Sequence, residues 1–179
     1  MNLSAYGKMA DVPLDASPLQ LHTQGRYSQK TFELIGRLRV RWENGFWNEW
    51  VAMFGNGQIG WLAEAQGFYA MCFESTSMKE IPDPNSLIPG KEILLSRGKH
   101  SLALSYQVQD IKKATCIGSE GELPFLAPIG RQSLSVDLSN LDDAYACMEY
   151  CGKQFRLFYG EYVEFDKFQF SNLRELDGW

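Results

Sequence analysis

Between residues 32 and 73 apolar side chains keep returning at every second position, and glycine-bearing turns interrupt the pattern three times. Phe32, Leu34, Gly36, Leu38, Val40 and Trp42 alternate with Glu33, Ile35, Arg37, Arg39 and Arg41. A period of two belongs to a strand with one apolar face, because successive side chains leave a pleated backbone on opposite sides. Asn44-Gly45, Gly55-Asn56-Gly57 and Gln66-Gly67 stand where hairpin turns need backbone of positive φ. The pattern predicts strands over 31–42, 47–54, 58–63 and 68–73, paired in sequence order as a four-stranded antiparallel meander.

Pro82, Pro84, Pro89 and Gly90 then crowd one short stretch. Proline cannot donate to a ladder, so this stretch reads as a connection. Beyond it the sequence predicts strands over 93–95, 101–108, 114–117, 133–138, 144–150, 154–159 and 168–173, with turns at Arg97-Gly98, Ser119-Glu120-Gly121, Ser139-Asn140 and Cys151-Gly152. No long stretch keeps a helical period. The expected fold class is all-β, with two packed antiparallel β units forming a barrel or sandwich. Residues 1–24 read as an extended lead-in, 25–79 as the first unit, 80–90 as the connection and 91–179 as the second unit, unless the two units form one continuous domain.

A net charge of −5 argues against bulk binding of nucleic acid. The longest apolar run is the six residues from Phe68 to Phe73, far short of the roughly 20 that a membrane-spanning helix needs. The first residues carry no basic region followed by an apolar stretch, so a cytoplasmic location is expected, or one peripheral to the inner membrane. Of the four cysteines, only Cys147 and Cys151 lie close together, and His22 and His100 stand alone. A structural zinc site draws on two close ligand pairs, so no metal and no cofactor are expected, and the cysteines read as small buried apolar residues.

Three groups of residues invite a functional reading. Gly55-Asn56-Gly57-Gln58-Ile59-Gly60 fits the spacing of a dinucleotide fingerprint. That fingerprint requires a strand turning into a helix, which Gly67 cuts short, and the segment is set aside as a turn. With two-residue loops at both early turns, Glu49 faces Glu64 across neighbouring strands, and two adjacent carboxylates are the makings of an acid/base pair. A shift of one residue in register would separate them. Finally, residues 26–41 carry five basic side chains and one acidic. Arg37, Arg39 and Arg41 share a strand face there, with Trp50 and Trp61 next to them and Trp42 and Trp47 pointing the other way. Exposed arginine beside tryptophan has the composition of an interaction hot spot for an acidic partner or an anionic membrane surface. Stacking of guanidinium on indole accounts for the same pattern without a partner.

Trp47-Asn48-Glu49-Trp50 and Gly60-Trp61-Leu62-Ala63-Glu64, after Ile35-Gly36-Arg37, resemble the bacterial domain of unknown function numbered 4178. The resemblance continues through Glu120-Gly121-Glu122-Leu123-Pro124-Phe125, Val136-Asp137-Leu138 and Leu173-Arg174-Glu175-Leu176. It implies a cytoplasmic component of an envelope-stress system, with protein partners of the phage-shock or MoxR type. Longer members carry a zinc ribbon with two Cys-x-x-Cys pairs, which this sequence does not contain. The expected function is therefore a non-enzymatic β-rich interaction module that contacts its partner through Arg37, Arg39, Arg41, Trp50 and Trp61. The alternative is a small-molecule-binding domain or hydrolase with a cleft lined by Glu49 and Glu64.

Overall fold

The computed structural model describes residues 15–75, 80–96, 102–141 and 144–176. Among the described residues ten strands follow in chain order: β1 (Gln24–Tyr27), β2 (Lys30–Trp42), β3 (Gly45–Phe54), β4 (Ile59–Ala65), β5 (Phe68–Ser75), β6 (Glu92–Leu95), β7 (Leu104–Gly121), β8 (Gln132–Ser139), β9 (Ala144–Cys151) and β10 (Gln154–Tyr162). They pair antiparallel in the order β1-β2-β3-β4-β5-β10-β9-β8-β7-β6, and β2 also pairs with β7. That last pairing closes the eight strands β2–β5 and β7–β10 into a barrel, with β1 and β6 added outside the ring. The meander of the first half is present as the alternation predicts. The strands expected at 101–108 and 114–117 are parts of one long β7. In place of a strand at 168–173 there is a short 3₁₀ turn, Phe165–Phe168, followed by a single bridge between Gln24 and Ser171. The Arg97-Gly98 turn and His100 lie outside the described residues.

Closure depends on backbone meeting backbone. A Cβ on Gly36 would stand 2.0 Å from the Glu122 carbonyl oxygen, and one on Gly121 would stand 2.2 Å from that of Ile35. Only glycine allows this approach, and the Glu122 amide donates to the Ile35 carbonyl across it at 2.7 Å. A bulge at the same place, between Leu34 and Gly36, switches the faces of β2. Phe32 and Leu34 therefore pack outside the barrel, whereas Leu38 and Val40 pack inside it. The single apolar face expected for 32–42 is in fact two half-faces serving two cores.

The outer face of β2–β5 is covered by segments from both ends of the described chain, with Leu19 and Phe168 fully buried against Trp50, Leu62 and Met71. The outer face of β7–β10 is covered by the proline-containing connection and β6, through Leu87 and Leu95. Both outer faces thus hold apolar cores, which leaves the lumen free to be different.

A polar lumen as candidate ligand site

Eight strands enclose a space that side chains can just fill, or that can hold one small ligand. Here it encloses a cavity of about 60 Å³. On the first half of the barrel the walls are Leu38, Val40, Trp47, Glu49, Trp61, Ala63 and Cys72; on the second half they are largely polar. Alternation on β8 and β9 produces this: Leu134, Val136 and Leu138, with Ala146 and Met148, face the outer core, so Ser133, Ser135, Tyr145, Cys147 and Glu149 face inward.

The lumenal charges are linked. Arg131 Nη1 pairs with Glu149 Oε1 at 2.7 Å, and Arg156 Nη1 stands 3.6 Å from the other oxygen of Glu149. Arg156 also donates from Nε and Nη2 to the two oxygens of Glu74, at 3.2 and 3.1 Å. Phe125, from the connection between β7 and β8, lies 4.3 Å from the Arg156 guanidinium and 5.2 Å from that of Arg131, with its ring 5.7 Å from Trp61. It packs, half-buried, against the apolar cluster inside the barrel. Lys112 pairs with Asp137 at 2.6 Å and Asp110 at 2.9 Å, and the Tyr145 hydroxyl donates to Asp137 at 2.8 Å.

Glu49 is the exception in this network. Its Oε1 accepts from the indole Nε1 of Trp47 at 2.8 Å, and among the described residues no ion pair reaches it. Its side chain is half-buried and lines the cavity. Burial, with the nearby Glu149 charge adding to it, pushes its carboxyl up to about 7, against the smaller pull of Trp47, Arg156 and Arg131. Burial also raises the thiols of Cys72, Cys116 and Cys147, which keeps them protonated and poor nucleophiles. Cys147 and Cys151 sit four residues apart along β9, ~13 Å in an extended strand, too far to ligate one ion. No group of three or more His, Cys, Asp and Glu side chains among the described residues is arranged to hold a metal.

Glu64 is not in the lumen. The loop between β3 and β4 has three residues, not two: the Phe54 amide bonds to the Gln58 carbonyl at 2.9 Å, and Gly57 takes φ +81°. Glu49 therefore pairs with Ala63, and Glu64 with Asn48. This one-residue slip puts Glu64 on the outer face, 7% exposed, where it accepts from Ser17 Oγ, Asn48 Nδ2 and Trp50 Nε1, each at 2.9 Å. It is a structural anchor, and the expected Glu49–Glu64 pair does not form. The slip also turns Trp61 inward to line the lumen with Trp47, leaving Trp50 on the outer face.

The arginine face is largely covered. Arg37 is 5% exposed, lies 4.9 Å over the Trp50 ring and approaches Glu120 through Nε at 2.7 Å, without the alignment of a hydrogen bond. Asp15 gathers Arg37 at 3.2 Å, Arg174 at 2.9 Å and Arg39, and accepts from Asn48 Nδ2 at 3.0 Å. Trp50 is fully buried, and of the five expected contact residues Arg41 alone is exposed. The acidic partner of these arginines is in large part the protein's own segment at Asp15, which pins residues 15–19 across the barrel. His22 is exposed and pairs with Glu33 at 2.6 Å.

The residues missed from the sequence are Arg131, Tyr145, Glu149 and Arg156. The alternation over 133–138 and 144–150 was visible, but a polar strand face is ordinarily a wet one. Only closure puts it inside.

The molecule is thus a closed antiparallel β-barrel with a small ionised lumen, a class whose interior can hold a ligand. The family model described as Domain of unknown function (DUF4178) matches residues 20–165, a span that takes in all eight barrel strands, and the chain belongs to that family. No curated protein and no solved structure matches it.

Proposed function

We propose that the protein binds a small polar molecule inside the barrel. The observation that supports this is the lumen itself: a cavity of about 60 Å³ that sets Glu49, Arg131, Ser133, Ser135, Tyr145, Glu149 and Arg156 against an apolar wall of Leu38, Val40, Trp61 and Phe158, instead of closing on apolar side chains alone. Buried charge stabilises a fold poorly compared with apolar packing, so a charged interior needs another reason. The protonated thiols and the separation of Glu49 from Glu64 favour holding a ligand over turning one over. The interaction-module reading fares less well, because Arg37 and Trp50 are not available to a partner. The envelope-stress role that the resemblance implies is compatible with a ligand-sensing barrel.

A thermal-shift screen of small polar metabolites tests this, run on the wild type and on Ser135→Phe, which fills the lumen. A ligand present at a hundred times its Kd stabilises by ~2.7 kcal/mol, or roughly 5–10 °C in a chain of this size. The wild type is expected to shift and the filled variant not to. Equal shifts in both, or none in either, would overturn the proposal.

A further inference from the structure

We infer that the lumenal ligand is a protonated amine, either a small organic ammonium or the ammonium end of a longer one, held by Glu49. This rests on the lumenal reading above and names its chemistry. The cations facing the lumen are already committed: Lys112 is held by Asp137 and Asp110. Arg131 is paired to Glu149, and Arg156 uses three of its nitrogens on Glu149 and Glu74. Three carboxylates, Glu49, Glu74 and Glu149, thus face two guanidinium groups, and the one left over is Glu49. An anionic ligand would have to break an arginine pair and sit beside two carboxylates. An ammonium group needs neither, and it supplies the charge that Glu49 lacks.

The rest of the cavity suits such a group. Its three donors can go to Glu49 and to hydroxyl oxygens of Ser133, Ser135 or Tyr145, all on the cavity wall. The Trp47 and Phe158 rings line the same cavity and give an alkyl stem an apolar surface, with aromatic faces attractive to a cation. The size agrees as well. A cavity of about 60 Å³ has room for roughly four waters, the bulk of an amine with four or five non-hydrogen atoms.

The test is calorimetry with three probes of similar shape: n-propylammonium, propionamide and propionate. Glu49 is pushed up to about 7 with Glu149, Arg131 and Arg156 around it. Its ionised fraction therefore rises about tenfold between pH 6 and pH 8, and propylammonium affinity is expected to rise by about the same factor. Binding at pH 7 should release protons, which appears as a heat that depends on buffer. Glu49→Gln, close to isosteric, should lose propylammonium binding while its near-ultraviolet circular dichroism stays that of the wild type. The pH profile of the wild type needs no variant at all. If propionate or propionamide binds in the wild type's place of propylammonium, and Ser135→Phe abolishes that binding, the lumenal site stands and the amine assignment falls. If propylammonium binds Glu49→Gln as well as it binds the wild type, or with no dependence on pH, Glu49 does not hold it and the inference falls. If no probe binds the wild type, the amine assignment falls, and the lumenal reading is decided by the metabolite screen.

Discussion

Replacing Glu49 by glutamine removes one titration from the barrel while keeping an oxygen to accept from Trp47, and the consequence for stability follows from the shift of the carboxyl. In the unfolded chain it titrates near its ordinary value of 4.5, and in the fold burial and then Glu149 push it up to about 7. Below pH 4.5 both states hold the proton and the group costs nothing. Between pH 4.5 and 7 the unfolded chain releases its proton while the folded one keeps it, so stability falls as pH rises. Above pH 7 the full cost is present. A difference of about 2.5 units at 1.36 kcal/mol per unit comes to ~3 kcal/mol. The glutamine variant lacks this cost. It should match the wild type at pH 4.5 and exceed it by up to ~3 kcal/mol at pH 8.5, a shift of roughly 1–2 M in urea midpoint for a slope of ~2 kcal/mol/M. Urea unfolding followed by tryptophan fluorescence at several pH values measures this, and titrating groups that do not interact with Glu49 cancel in the difference between the two proteins. A constant difference across pH, or a variant less stable than the wild type at pH 8.5, would refute the burial of Glu49 in the lumen.

Glu64→Ala orphans three buried donors, Ser17 Oγ, Asn48 Nδ2 and Trp50 Nε1, and should cost ~3–5 kcal/mol in chemical denaturation, in contrast to the gain at Glu49. Asp15→Ala leaves Arg39 and Arg174 without their carboxylate and Arg37 with Glu120 alone, and should cost ~3–5 kcal/mol, with limited proteolysis showing the segment near Leu19 released from the barrel. Gly36→Ala drives a Cβ into the Glu122 carbonyl, 2.0 Å away. It should cost ~3 kcal/mol or more, and amide exchange should speed up first along the β2–β7 seam; uniform exchange with unchanged stability would contradict the closure described here.

How far the sequence reached is clearest at the turns. Gln66-Gly67 was legible because both residues can take positive φ, and they do, at 50° and 83°, which fixes Glu64 opposite Tyr69 as the two-residue loop requires. Gly55-Asn56-Gly57 was not, because the same residues serve a loop of two or of three, and the difference of one residue decides which face carries Trp61 and Glu64. The bulge between Leu34 and Gly36 has the same effect on β2 and leaves no mark on its alternation beyond the glycine itself. The arginines at 37 and 39 looked like a free basic face because the carboxylates that pair with them, Asp15 with both and Glu120 with Arg37, lie outside the strand and remote from it in sequence.

By itself the sequence determined that the chain is built of strands, where most of them run, which hairpins join them and that no helix is long and apolar enough to cross a membrane, because period two, turn chemistry and composition are local properties. It also carried the motifs of the family. Only the tertiary structure decided which face of each strand is the inside. A period of two records that two faces differ, not which of them meets water, and that depends on the β2–β7 seam between Gly36 and Gly121, far apart in the chain. Closure there, with the apolar faces packed under the flanking segments, turned the polar faces of β8 and β9 inward. Burial inside the barrel, with the Glu149 charge beside it, then pushed the Glu49 carboxyl up to about 7, a property no spacing of residues displays.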